Sequence, residues 1–226
     1  DFAQAVKVSS EVLASLGRIY PATDTNVILE AELENGRIVT GESKISKSRS
    51  PIKAVRLRPS MCEPMPETLE AIQRADLITF GPGSLFTSVI PNVLVKGIPE
   101  AIRKSRALKA YFVNLMWQPG ETTGFRASDH VSAINRHAGG NLFDVVVVNT
   151  RPITVRQRRK YAAEQAQSVV NDVERLTKMG LQIVASDLLA EGDVVRHDSR
   201  VAAEIAMDLA RRGRANRRKV RVLGEK

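Results

Sequence analysis

Phe143-Asp-Val-Val-Val-Val-Asn149 decides the fold. Four consecutive valines leave no side of a strand for water, and a β-branched run this solid is expected where both faces of a sheet are covered, as in parallel sheets flanked by helices. Outward from it, residues 110–116 and 181–185 read as further strands, and Asp76-Leu-Ile-Thr-Phe80 as a short buried one. Between them, residues 67–75, 98–108, 128–136 (with Ser128 as N-cap), 158–169, 173–179 and 200–212 carry helical spacing. Strands alternating with helices predict a three-layer α/β/α, Rossmann-like parallel sheet built with crossover helices.

Before Glu67 the rhythm differs. Phe2, Ala5, Val6, Ser9, Val12, Leu13 and Leu16 recur at three- and four-residue steps, a helix that Gly17 closes. Residues 27–33 and 37–43 flank Asn35-Gly36. That pair suits a type I′ turn, in which both central residues take positive φ, so a β-hairpin excursion is expected. Residues 52–57 alternate as a strand near a sheet edge, and Pro59, Pro64 and Pro66 stiffen the connector that follows.

With 226 residues and 43% hydrophobic content, the chain can bury a full core without disulfides or a structural metal. The lone Cys62 makes no internal disulfide, which points to a reducing compartment. No apolar run approaches the ~18 residues of a membrane-spanning helix. Asp1 in place of an initiator Met leads to the expectation that the chain begins inside a longer protein. The net charge of +9 is concentrated: eight basic residues and one acidic residue between Arg211 and Lys226 carry +7 of it. A domain over residues 1–213 with a basic tail over 214–226 is therefore expected. Nucleic-acid binding through this tail is an alternative function, disfavoured because the tail holds no aromatic residue to stack on bases.

In parallel sheets, ligands sit beyond the carboxyl ends of the strands, so the loops there are the candidates. After Phe80 come Gly81, Pro82, Gly83 and Ser84, then Thr87 and Ser88: close backbone approach with hydroxyls, or an ordinary tight strand-to-helix turn. The next strand carries Asn114 and leads through Gln118, Gly120, Glu121 and Thr122 to Asp129-His130, which reads either as a ligand loop or as a capped helix start. Arg196-His197-Asp198 precedes the last helix. There Arg196 offers a bidentate grip on phosphate or carboxylate, Asp198 a cap, and His197 a link between the two. His137 and Cys62 read as structural, and three scattered histidines make no metal site.

Asp76-Leu-Ile-Thr-Phe-Gly-Pro-Gly-Ser-Leu-Phe-Thr-Ser-Val-Ile-Pro-Asn92, Asn114-Leu-Met-Trp-Gln-Pro-Gly-Glu-Thr-Thr-Gly-Phe125 with Ser128-Asp129-His130, and Val195-Arg-His-Asp198 resemble the CofD-like proteins, and among them the gluconeogenesis-factor (YvcK) branch. The resemblance extends to about Gly213. It implies a Rossmann-like domain for a nucleotide-containing ligand: of the UDP-sugar type in the regulatory branch, which affects carbon-source-dependent growth and cell shape in the bacterial cytoplasm. The alternative that it implies is 2-phospho-L-lactate transfer from a guanosine diphosphate carrier to a deazaflavin, in deazaflavin coenzyme synthesis with a divalent cation. By match, Gly81, Pro82, Gly83, Ser84 and Thr87 border the ligand, Asn114, Gln118, Gly120, Glu121 and Thr122 form the neighbouring loop, and Tyr161 and Arg196 contact the nucleotide sugar. No catalytic residue follows from the resemblance, no metal site is assigned, and a divalent cation shared with the nucleotide is the one cofactor left open. A homodimer is compatible with it. Trp117 stands where the family usually has a small polar residue, often Thr, and Thr123 where Asp is common. The family's first strand and Gly-rich phosphate loop are absent from this stretch, so a truncated domain lacking its first strand, with an exposed sheet edge and an incomplete phosphate site, is expected.

Overall fold

The computed structural model describes Val6 and residues 17–224, with side chains on the last helix as far as Asn216. The helix expected over residues 2–16 lies outside these, apart from the single helical residue Val6. β1 (Ile28–Leu33) and β2 (Ile38–Thr40) form the expected hairpin, followed by α1 (Glu42–Lys47) and β3 (Ile52–Arg58). α2 (Pro66–Arg74) leads into β4 (Leu77–Phe80), after which a π-helical turn over Leu85–Val89 continues into α3 (Ile90–Val93) and α4 (Ile98–Lys104). β5 (Leu108–Phe112), α5 (Ala127–His137), β6 (Val145–Asn149), α6 (Val155–Ala162), α7 (Val173–Lys178), β7 (Gln182–Ser186) and α8 (Ser199–Gly224) complete the order.

The valine run lies where its composition demands. β4, β5, β6 and β7 form a parallel sheet in that spatial order, which puts β6 between two neighbours. Strand alternation then divides the core. Ala110, Phe112, Val145 and Val147 pack with Leu209 and Ile205 of α8, while Tyr111, Val113, Val146 and Val148 pack with Val131 and Ile134 of α5 and Leu176 of α7. These eight residues, Val113 being the one just past β5, are at most 2% exposed. Each buried valine contributes roughly 1.5–2 kcal/mol of hydrophobic stabilisation before the ordering entropy is subtracted. One face thus carries α5, α7 and the helices after β4, and the other carries α8. That helix lies close on the sheet: a Cβ added to Gly213 would stand 2.0 Å from the Asp76 carbonyl oxygen. The second sheet is antiparallel in the order β2-β1-β3. Its buried side, with Ala31, Leu33, Val55 and Leu57, joins the core beneath α5. No single helix among the described residues is long and apolar enough to cross a membrane.

Several local expectations are corrected. The hairpin turn is not type I′: only Gly36 has positive φ (80°), with Gly36 N–H bonded to Leu33 O and Leu33 N–H to Arg37 O, both at 2.9 Å. This is the three-residue loop closed by a left-handed glycine. β2 stops at Thr40, because residues from Glu42 onward turn into α1. β4 is buried only at Phe80, since it is an edge strand of the described sheet. α4 ends at Lys104 and the chain is already in β5 by Leu108, so Asn114 lies beyond the strand rather than within it. Ser128 is not the N-cap of α5; Arg126 takes that place and Ser128 is fully buried. The helix expected over residues 158–169 ends at Ala162. Residues 166–170 run extended instead, because their backbone satisfies the loop after β5: Val169 N–H bonds Leu115 O at 3.0 Å, Trp117 N–H bonds Gln167 O at 2.8 Å, and Ala127 N–H bonds Val170 O at 2.9 Å.

Candidate functional site

Two strand-end loops are bonded directly to one another. After β4, Ser84 opens the π-helical turn, its carbonyl accepting from Ser88 N–H and Val89 N–H at 2.9 Å. Phe86, one residue into that turn, has an amide that no helical carbonyl can satisfy, and Glu121 from the loop after β5 accepts it through Oε2 at 3.3 Å. Thr87 Oγ1 donates to Glu121 Oε1, also at 3.3 Å. Gln118 Nε2 donates to Ser84 Oγ at 2.6 Å, and Asn114 Nδ2 to Gly83 O at 3.0 Å. Glu121 is 3% exposed, and its desolvation pushes the carboxyl pKa up against the lowering effect of Phe86 N–H and Thr87 O–H.

The third loop hangs from the residue just past β5. His197 Nε2 bonds Val113 O at 3.1 Å, so that nitrogen carries the proton. His197 therefore does not link Arg196 to Asp198. Asp198 accepts from Arg200 N–H at 2.9 Å and Val201 N–H at 3.1 Å, the cap that its position predicts. Tyr161, on α6, accepts Val195 N–H on its phenol oxygen at 3.1 Å and so fixes the residue before Arg196. Arg196 is exposed and makes no ion pair among the described residues.

These loops enclose two adjoining cavities. One, of about 240 Å³, is lined by Pro82, Gly83, Ser84, Asn114, Gln118 and Arg196. The other, of about 340 Å³, is lined by Glu121, Tyr161, Trp117 and Glu164. Met116, Gln118 and Val195 line both. Asn114 and Leu115 also border a third hollow of about 180 Å³ with Asn149, Arg151 and Asn171, above the end of β6. Eight expected residues thus share one cleft. Gly81, Thr87, Gly120 and Thr122 line neither of the two adjoining cavities and hold the loops instead. Thr122 Oγ1 accepts Gln118 N–H at 2.9 Å. Gly120, with φ 86°, presses so close to the Ser48 carbonyl that an added Cβ would stand 1.9 Å away. Gly81 faces a separate, mainly apolar hollow of about 360 Å³ beside Ile72 and Ile78.

Sequence reasoning missed Met116, Val195, Ser46 and Glu164 as wall residues. The first two are apolar and the last two ordinary surface polars, so nothing in their type or spacing marks them. The Asp129-His130 pair takes its capping reading. Asp129 accepts Arg126 N–H at 2.9 Å and pairs with Arg175 at 3.2 Å, while the fully buried His130 ring packs between Tyr111 and Phe125. Among the described residues no group of three or more His, Cys, Asp or Glu side chains stands ready to hold a metal. Glu121 faces neutral donors and Asp129 an arginine. These residues alone do not fit a divalent cation.

The family model described as 2-phospho-L-lactate transferase CofD matches residues 1–189. The chain is 44% identical to the gluconeogenesis factor of Bacillus subtilis, over 92% of this chain and 66% of that protein. It is also 44% identical to the gluconeogenesis factor of Halalkalibacterium halodurans, over 92% of this chain and 65% of that one. It spans just under two thirds of the length of these relatives. A crystal structure of a UPF0052-family protein from Bacillus halodurans superposes with a TM-score of 0.87 at 44% identity, covering 92% of this chain and 67% of that structure.

Proposed function

The chain belongs to the CofD family, among relatives named gluconeogenesis factors, and from that premise we propose that it binds a nucleotide sugar of the UDP type as a cytoplasmic, non-catalytic regulatory protein of carbon-source-dependent growth and cell shape. The observation that supports this is the cleft itself. Over the carboxyl ends of β4 and β5, the Ser84 turn and the unpaired Arg196 guanidinium border one cavity, and a second cavity opens beside it under Tyr161. A guanidinium with its donors free, opposite a hydroxyl and a glycine turn, suits a phosphate. Ser84 Oγ already accepts from Gln118, so its proton is free to donate to an anionic oxygen. On this reading the basic run from Arg211 to Lys226 is not a nucleic-acid arm.

Isothermal titration calorimetry of the 226-residue chain with UDP-glucose is expected to show binding that Arg196→Ala weakens at least tenfold. Unchanged affinity removes Arg196 from the site. The second reading, phospholactate transfer, is supported by the description of the matching family model. Product from a deazaflavin acceptor and activated phospholactate would establish it in place of the first.

A further inference from the structure

We propose that the cavity under Tyr161 takes an uncharged, hydroxyl-bearing group of the ligand, and that Glu121 makes it selective against an acid group there. This rests on the nucleotide-sugar reading and adds to it which sugars are accepted. The two adjoining cavities differ in electrical character. The smaller one has the guanidinium of Arg196 at its mouth, and the larger one has two carboxyls in its wall, Glu121 and Glu164. No arginine, lysine or histidine lines the larger cavity, and no salt bridge involves Glu121 or Glu164 among the described residues.

The remaining wall groups suit a polyol. The Tyr161 oxygen accepts Val195 N–H, which leaves the phenol proton free to donate. Glu121 holds Phe86 N–H and Thr87 O–H with one oxygen each, which leaves each oxygen a second lone pair as acceptor. A hydroxyl both donates and accepts, so a hexose can use the two together. Trp117 contributes an aromatic surface for a sugar's C–H face. A carboxylate on the same ligand would instead meet the Glu121 carboxylate, 3% exposed, with no cation in the cavity wall to offset the repulsion. With no cation in the wall, like-charge repulsion is expected to cost a factor of roughly ten or more in affinity.

The test compares UDP, UDP-glucose and UDP-glucuronate by calorimetry on the 226-residue chain at pH 7.5. UDP-glucose should bind at least tenfold tighter than UDP-glucuronate. Glu121→Gln should shrink that ratio at least fivefold, and the exposed Glu164→Gln should shrink it less, in the same direction. The ratio is the readout because it cancels any general loss of affinity. Thermal denaturation of each variant establishes that it is folded, and Glu164→Gln stands as the surface substitution if Glu121→Gln is not. If UDP-glucuronate binds as tightly as UDP-glucose, or the ratio survives both substitutions, the selectivity inference is wrong while the nucleotide site stands. If none of the three binds, the nucleotide-sugar reading falls and the inference falls with it.

Discussion

Glu121 sits where two physical effects oppose each other. Its carboxylate accepts from an amide at the start of a helical turn and from a hydroxyl, both of which favour the charge, yet burial disfavours the charge more and raises the pKa. A carboxyl whose folded pKa is raised stabilises the fold below its ordinary pKa near 4.5 and loses that contribution as pH rises through the folded value. Glu121→Gln keeps an acceptor for Phe86 N–H without the charge. The variant is expected to match the parent chain near pH 4.5 and to be more stable by about 1 kcal/mol at pH 8, read from urea denaturation at the two pH values. A variant less stable at pH 8 would show that the charged hydrogen bonds outweigh desolvation. Glu121 and Gln118 are legible in the sequence as polar groups at a strand's end. Their bonds to Phe86 and Ser84 span 35 and 34 residues, and no local spacing encodes contacts at that separation.

The start of α5 shows how an element is held from outside itself. Ser128 is a good N-cap residue by type, but Asp172, from the segment before α7, accepts both its backbone N–H, at 3.0 Å, and its hydroxyl. Arg126 occupies the cap instead, with its amide bonded to Asp129 Oδ2. Asp172→Ala strands two donors at a buried helix start and is expected to cost about 2–3 kcal/mol. Ser128→Ala leaves the amide bonded and should cost about 1 kcal/mol. Urea midpoints at constant m-value separate the two, and equal costs would mean that Asp172 matters only through the hydroxyl. Element type was readable wherever the apolar period was long, as in β6 and α5. Element ends were not, because they are set by partners such as Asp172, or by Leu115 and Trp117, which draw residues 166–170 out of helix.

On the scale of the whole molecule, three histidines fasten three different joints in neutral form. His137 donates from Nδ1 to Ala133 O at 2.7 Å and accepts Val55 N–H on Nε2 at 3.1 Å, tying α5 to the antiparallel sheet. His197 ties the last loop to Val113, just past β5, and His130, on α5, packs its buried ring against Tyr111 of β5. Burial lowers the pKa of all three below the ordinary 6.5. The unfolded chain then binds protons that the folded one refuses, so stability present above pH 6.5 is lost as pH falls through the lower folded values. The melting temperature should fall by several degrees between pH 7.5 and 5.5, and by less in His137→Gln; a flat profile would show that these rings protonate without cost. The sequence by itself determined the strand and helix types, the parallel class of the main sheet, the family, and the polar residue types at the strand ends. Each of these is written in side-chain type and spacing over a few neighbours. Only the tertiary structure decided that the Ser84, Glu121 and Arg196 loops share one cleft, with a cationic mouth and an acidic inner wall. That convergence depends on parallel register between β4 and β5 and on contacts such as His197 with Val113, 84 residues apart, where packing of the whole sheet chooses the neighbours.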